Sequence, residues 1–176
     1  MSVPQAPAPA KLVIGILMKE KALLPRVTEM LCERFGQMDM VSPWLPFDYT
    51  PYYEPEMGSP LFRRMLTFAS LTEQHSLPEI KCFTNEMESE FSENGNRKIN
   101  IDPGYMVRER FVLATGKNFT HRIYIGKGIY ADLTLIYTKG AFQKLPWTYP
   151  DYADEKIRTH LELVRRKYIN DLKQVS

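Results

Sequence analysis

Residues 47–58 read Phe-Asp-Tyr-Thr-Pro-Tyr-Tyr-Glu-Pro-Glu-Met-Gly, which places three acids and four aromatics in one short stretch. Pro51 and Pro55 each remove a backbone donor and fix φ, so the stretch suits neither a regular helix nor a central strand. It reads as a rigid loop with carboxylates at its rim. Asp48, Glu54 and Glu56, with Asp102 as a further carboxylate, supply the hard oxygen ligands that a divalent cation takes. The same residues also suit a solvated acidic loop in which Asp48 caps a turn and Tyr52 and Tyr53 pack on the fold. No His or Cys falls within the segment to favour a transition metal.

A second group is basic. His121, Arg122 and the nearby Lys117 would form a rim suited to phosphate or carboxylate. Arg122 is also placed to pair across strands with Asp132, and His121 to pack or cap at a strand end. His75 and His160 make no metal-ligand spacing with another His or Cys. Cys32 and Cys82 lie in expected helices without a nucleophile motif, and read as small hydrophobes in a reducing compartment. Ser59, Ser70 and Ser76 lack a nucleophile elbow. The aromatic segment Trp147-Thr148-Tyr149-Pro150-Asp151-Tyr152 either closes the core or walls a pocket.

These residues need a scaffold. A chain of 176 residues fits one domain, large enough to bury roughly 70% of its unfolded surface. A net charge of +2 argues against a dedicated nucleic-acid binder. Residues 1–10 alternate Pro and Ala and read as a disordered tail, leaving 11–176 as a single domain. The apolar run Leu12–Met18 is too short for a membrane helix and meets Lys19-Glu20-Lys21 where a signal cleavage site would be, so a cytoplasmic protein is expected.

Lys11–Met18 has the continuous apolar character of a strand buried on both faces. Leu24–Phe35 is an amphipathic helix, with Pro25 in its first turn and Gly36 at its stop. Strands are expected at Met38–Trp44 and Arg64–Leu71. A second helix starts at the capping box Ser76-Leu77-Pro78-Glu79. Setting Lys11–Val27 over Arg64–Ile80 superposes Leu24-Pro25-Arg26-Val27 on Leu77-Pro78-Glu79-Ile80, a faint internal duplication in which Asp48 answers to Asp102. Two tandem β-α-β units of this kind build a ferredoxin-like split sheet.

Arg110–Thr115 is a further strand, followed by a hairpin across Gly126-Lys127-Gly128. A three-residue loop pairs Ile125 with Ile129, Tyr124 with Tyr130, Ile123 with Ala131 and Arg122 with Asp132, and so separates an apolar face from a polar-aromatic one. Ile157, Leu161, Val164, Tyr168 and Leu172 mark a C-terminal amphipathic helix.

Asp48-Tyr49-Thr50-Pro51-Tyr52-Tyr53, Asn100-Ile101-Asp102-Pro103-Gly104-Tyr105, His121-Arg122-Ile123-Tyr124 and Trp147–Tyr152 together give a chain that resembles a bacterial family catalogued as domain of unknown function 4416. Members often carry a "GTP-binding" label. The chain lacks the P-loop that label would imply: Gly116-Lys117 is followed by Asn118, Gly126-Lys127 by Gly128, and neither pair has the preceding glycine that cradles phosphates. No guanine-reading Asn-Lys-x-Asp segment is present either.

The expected fold is α+β: a ferredoxin-like split βαβ core extended by the hairpin into one mostly antiparallel sheet, with helices on one face. The open face would then present Tyr105, Tyr124, Tyr130, His121, Arg122 and Asp132 beside Tyr52, Tyr53 and the carboxylates. Two functions suit it. One is binding of a small anionic ligand, a nucleotide or sugar phosphate, with or without a divalent metal and not by a P-loop. The other is a non-catalytic interaction or homodimerisation module using the aromatic sheet face.

Overall fold

The apolar run at the start of the chain forms β1 (Ala10–Met18), buried at all nine positions. In the computed structural model, which describes residues 1–175, this strand is the spine of the molecule. Ser176, the end of the expected domain, lies outside the described residues. In chain order there follow α1 (Leu24–Phe35), β2 (Met38–Val41), β3 (Leu45–Phe47), α2 (Glu54–Met57), β4 (Leu61–Thr72) and α3 (Leu77–Glu90). Then come the short pair β5 (Ser92–Glu93) and β6 (Asn96–Arg97), β7 (Ile99–Met106), β8 (Arg110–Thr115), β9 (Arg122–Gly126), β10 (Ile129–Thr138), β11 (Ala141–Lys144), α4 (Pro150–Ala153) and α5 (Glu155–Val175).

The main sheet runs β11-β10-β8-β7-β1-β4-β2, with β3 paired to β4 and β9 to β10. Every pairing in it is antiparallel. The fold is therefore α+β. The two β-α-β units read from the sequence are present as β1-α1-β2 and β4-α3-β7, and their strands interleave in the order β7-β1-β4-β2.

Helices cover both faces of the sheet, not one. Leu12, Ile14 and Ile16 of β1 pack with Val27 and Leu31 of α1 and Ile80 and Met87 of α3. Because side chains alternate along a strand, Val13 faces the other way, and with Met65 it packs on Ile157, Leu161 and Val164 of α5. A central strand this apolar cannot leave one face to water, and α5 is the cover.

Two further expectations change. Met38–Trp44 is not one strand: Ser42-Pro43-Trp44 interrupts it, and the Ser42 hydroxyl takes the Met65 N–H at 2.9 Å in place of a ladder bond. The hairpin turn has two central residues, Lys127 and Gly128, both at positive φ (52° and 75°), with Gly126 opposite Ile129. Ile125 is taken up in a bulge, while the pairs Tyr124–Tyr130, Ile123–Ala131 and Arg122–Asp132 stand as expected.

At the start of β1, Lys11 is wholly buried and its ammonium meets Asp39 and, at 2.7 Å, Asp171 of α5. This ties the last helix to the central strand. Burial pushes both aspartates up, but hydrogen bonds from Lys11 and Lys167 outweigh it and hold both below the usual carboxylate range. A depressed carboxyl pKa stabilises the fold above the unfolded value of about 3.9 and loses that contribution as pH falls through the folded value. Asp171→Asn is expected to be less stable than the parent at pH 7, with the gap narrowing below pH about 4; urea unfolding at several pH values measures it. A gap that is constant with pH would contradict the assignment.

Candidate functional site

β7 and β8 pair only from Gly104 to Met106 against Phe111 to Leu113. Beyond this join the two strands diverge. Their contact is close at Gly104, where a Cβ would stand 2.5 Å from the Val112 carbonyl, and Pro103 offers no donor to a partner strand. The edge of β7 that β8 abandons is satisfied from α3: the Ile101 N–H donates to Glu88 Oε1 at 2.7 Å, and Lys81 Nζ donates to the Ile101 carbonyl at 2.7 Å. In the fork lies a cleft of about 810 Å³, within the size range of small-molecule sites.

Arg63 forms its floor. It sits at an inward position of β4, only 3% exposed. Its Nη1 donates to Asp102 Oδ2 at 2.7 Å, and its Nη2 lies 2.8 Å from Asp151 Oδ2, an ion-pair distance without hydrogen-bond alignment. Burial works against the guanidinium charge, yet Asp151 and Asp102 hold it more firmly protonated than an ordinary arginine. The two acids respond differently. Asp102, also raised by burial, is brought below the usual range by Arg63, Lys81 and the Asn100 amide. Asp151 stays above it, because burial outweighs Arg63 and Asp102 adds repulsion.

Tyr152 covers this floor, and its hydroxyl is buried without a hydrogen-bond partner among the described residues. Gly15 makes the room: a Cβ there would stand 2.7 Å from the Tyr152 hydroxyl and 2.9 Å from Arg63 Nη1. Burial pushes the phenols of Tyr53 and Tyr152 well up, with Asp102 and Asp151 adding to it. Tyr49 is raised to about 12 by burial and by Asp154. These phenols are neutral donors at physiological pH.

One wall is built on Arg97, which grips Glu56 in a two-pronged bond of 2.7 and 2.8 Å and also reaches Glu88 at 2.9 Å and Asn100 at 3.0 Å. This bond anchors α2, and with it the acidic-aromatic loop. At the mouth, Arg122 Nε donates to Asp132 at 2.9 Å, and its other nitrogens reach the Tyr149 hydroxyl and the Lys117 carbonyl. Lys117 Nζ donates to the Tyr52 hydroxyl at 2.8 Å, which lowers that phenol's pKa.

Of the residues singled out from sequence, Tyr52, Tyr53, Asp102, Arg122 and Asp132 line this one cleft. Asp48 and Glu54 are exposed and do not line it, so the proposed equivalence of Asp48 with Asp102 fails; Asp102 lies inside β7, opposite Gly15. Glu56 is committed to Arg97. The four carboxylates therefore do not assemble a cation site, and among the described residues no group of three or more His, Cys, Asp or Glu is placed to hold a metal.

Tyr105 lies opposite Leu12, on the α1 and α3 face. Tyr124 and Tyr130 stack edge-to-face on the hairpin, 5.4 Å apart, away from the cleft. His121 does not face away from Arg122, as continuous strand alternation would require. The chain turns at 119–122, with the Arg122 N–H bonded to the Phe119 carbonyl, and His121 Nε2 comes 3.1 Å from the same Asp132 oxygen while its ring stacks on Trp147.

Arg63, Lys81, Arg97 and Asn100 escaped the sequence reading as site residues, whereas Asp151 and Tyr152 belong to the segment 147–152, expected either to close the core or to wall a pocket, and both line the cleft. A signal existed for Arg63 and for one pair. Arg63 falls between Leu61 and Met65 at the inward parity of a strand, and Lys81 and Glu88, seven apart, share one helix face beside the apolar stripe. Arg97 and Asn100 carry no comparable mark.

The sequence model of a family described as Domain of unknown function (DUF4416) matches residues 8–168. No curated protein matches the chain, and no solved structure does. The match runs from just before β1 deep into α5 and takes in every element around the cleft, so the chain belongs to this family of unknown function.

Proposed function

We propose that the fork between β7 and β8 binds a small anionic ligand of the nucleotide or sugar phosphate class, with a ring among the tyrosines and its charge toward Lys117 and Arg122. The observation that carries this reading is convergence: side chains from β4, α3, β7 and the loops at 49–53, 115–117 and 149–152 face one concave space of about 810 Å³. Aromatic walls with a few fixed polar groups are what small-molecule recognition uses. The alternative, a docking module on an aromatic sheet face, has less support because α5 covers that face; the exposed apolars Phe119, Ile123 and Tyr124 lie on and beside the hairpin instead.

A thermal-shift panel of nucleotides, sugar phosphates and small carboxylates tests the reading. A ligand at 100 times its Kd adds about 2.7 kcal/mol, which raises Tm by about 5–10 °C for a chain of this size. If no compound in the panel at millimolar concentration moves Tm by more than about 1 °C, the reading is abandoned.

A further inference from the structure

The charges around the cleft narrow the ligand class further, on the reading that the cleft is a ligand site. Four of its cations are already committed to carboxylates of the chain: Arg63 to Asp102 and Asp151, Lys81 to Glu88, Arg97 to Glu56 and Glu88, and Arg122 to Asp132. Lys117 differs. Among the described residues it is the lining cation with no carboxylate within 4.0 Å, and its ammonium stands at the mouth against the hydroxyl and ring of Tyr52. A cleft with four internally neutralised cations and a single uncommitted one matches a ligand with one anionic group, not a run of phosphates.

The deep end has a different character. Both hydrogen bonds to Asp102 fall on Oδ2, and the carboxylate remains 24% exposed, which leaves Oδ1 to accept from a ligand. The Asn85 amide, exposed on α3, also lines the space. Nearby Tyr53 is held neutral by burial and offers an O–H donor and an apolar ring. A carboxylate and an amide acceptor in the same space as a phenol donor complement hydroxyl groups, and the ring face complements the C–H face of a sugar.

We infer that the ligand is a sugar monophosphate, bound with its hydroxyl-bearing ring toward Asp102 and Asn85 and its phosphate at Lys117. A nucleoside triphosphate presents three charged groups to a mouth with one uncommitted ammonium, and is disfavoured.

Calorimetric titration of the full chain with pentose and hexose monophosphates, the parent sugars, inorganic phosphate, and nucleoside mono- and triphosphates provides the test. At least one sugar monophosphate is expected to bind about tenfold or more tighter than its parent sugar, the increment of one charge-assisted contact, and tighter than any nucleotide. Lys117→Ala, at an exposed position, is expected to abolish that preference and leave the parent sugar's affinity within about twofold. Asn85→Ala is expected to weaken the sugar and its phosphate alike. A nucleotide as the tightest binder, a phosphate preference that survives Lys117→Ala, or an unchanged affinity in Asn85→Ala overturns the inference while leaving the cleft a ligand site. Silence across the entire panel removes both readings.

Discussion

Arg63→Met is expected to destabilise the fold by about 3–5 kcal/mol, because it strips the partner from two acids and leaves their charges in a largely buried floor. The lower end of that range applies, since Asp102 keeps 24% exposure while Asp151 keeps 5%. The pH dependence identifies the cause. In the parent, Asp102 has a depressed pKa and stabilises above the unfolded value, losing that contribution on acidification. Without Arg63, burial of Asp151 goes unopposed by that charge, and burial of Asp102 is countered only by Lys81 and the Asn100 amide, so both carboxyls rise and the folded state takes up protons more readily than in the parent. The variant's deficit should therefore shrink as pH falls from 7 toward 4.

Adding Asp102→Asn and Asp151→Asn to Arg63→Met removes the stranded charges and should recover more than half of the loss at pH 7. Urea unfolding of the parent, the single variant and the triple variant at pH 4, 5.5 and 7 measures all three effects. A loss below about 1 kcal/mol with no pH dependence would show that the floor is not held by this ion-pair group.

The sequence made the scaffold more legible than the site. Hydrophobic periodicity identifies β1, α1, α3 and α5, and alternation fixes three of the hairpin pairs, because each is dictated by burial over several residues. The cover on the second face was implied by the apolar run Lys11–Met18, read as a strand buried on both faces, although helices were expected on one face only. The turn at Lys127-Gly128 differs from expectation by one residue because a bulge at Ile125 preserves the register beyond it. β11 and the break at Ser42-Pro43-Trp44 were not legible, since short edge segments carry too few residues for a period to show.

The cleft depends on something periodicity does not record, namely where two adjacent strands part. The acidic-aromatic loop and Asp102 drew notice by composition, yet what places them is Arg97 gripping Glu56 and Arg63 gripping Asp102, pairings across 41 and 39 residues. Charged residues at inward strand positions or flanking an apolar helix stripe are the local trace of such pairings. Arg63 and the pair Lys81 and Glu88 bear that trace, whereas Asp48, conspicuous by its neighbours, is exposed outside the cleft.

Glu88→Ala should have the second large effect, and a localised one. Glu88 is 6% exposed, and its carboxylate accepts the Ile101 N–H, takes Arg97 Nη1 at 2.9 Å and lies 3.6 Å from Lys81 Nζ. Truncation leaves the buried Lys81 ammonium without its ion-pair partner, with Asp102 as the more distant remaining charge, and the Ile101 amide without an acceptor, at a combined cost of about 3–5 kcal/mol. Arg97 retains Glu56, which limits the loss to the β7 side of the fork. Glu88→Gln keeps an acceptor for Ile101 and should cost less. Combining it with Lys81→Met should restore stability toward the parent, because the unpaired charge is then gone. Amide exchange separates this account from a general loss of packing: at equal global stability, Ile101 should exchange faster in Glu88→Ala than in Glu88→Gln, while Val13 and Ile14 in the centre of β1 keep the protection that global unfolding sets. Equal exchange at Ile101 in the two variants would mean that α3 does not hold the free edge of β7, and that the fork stays open for some other reason.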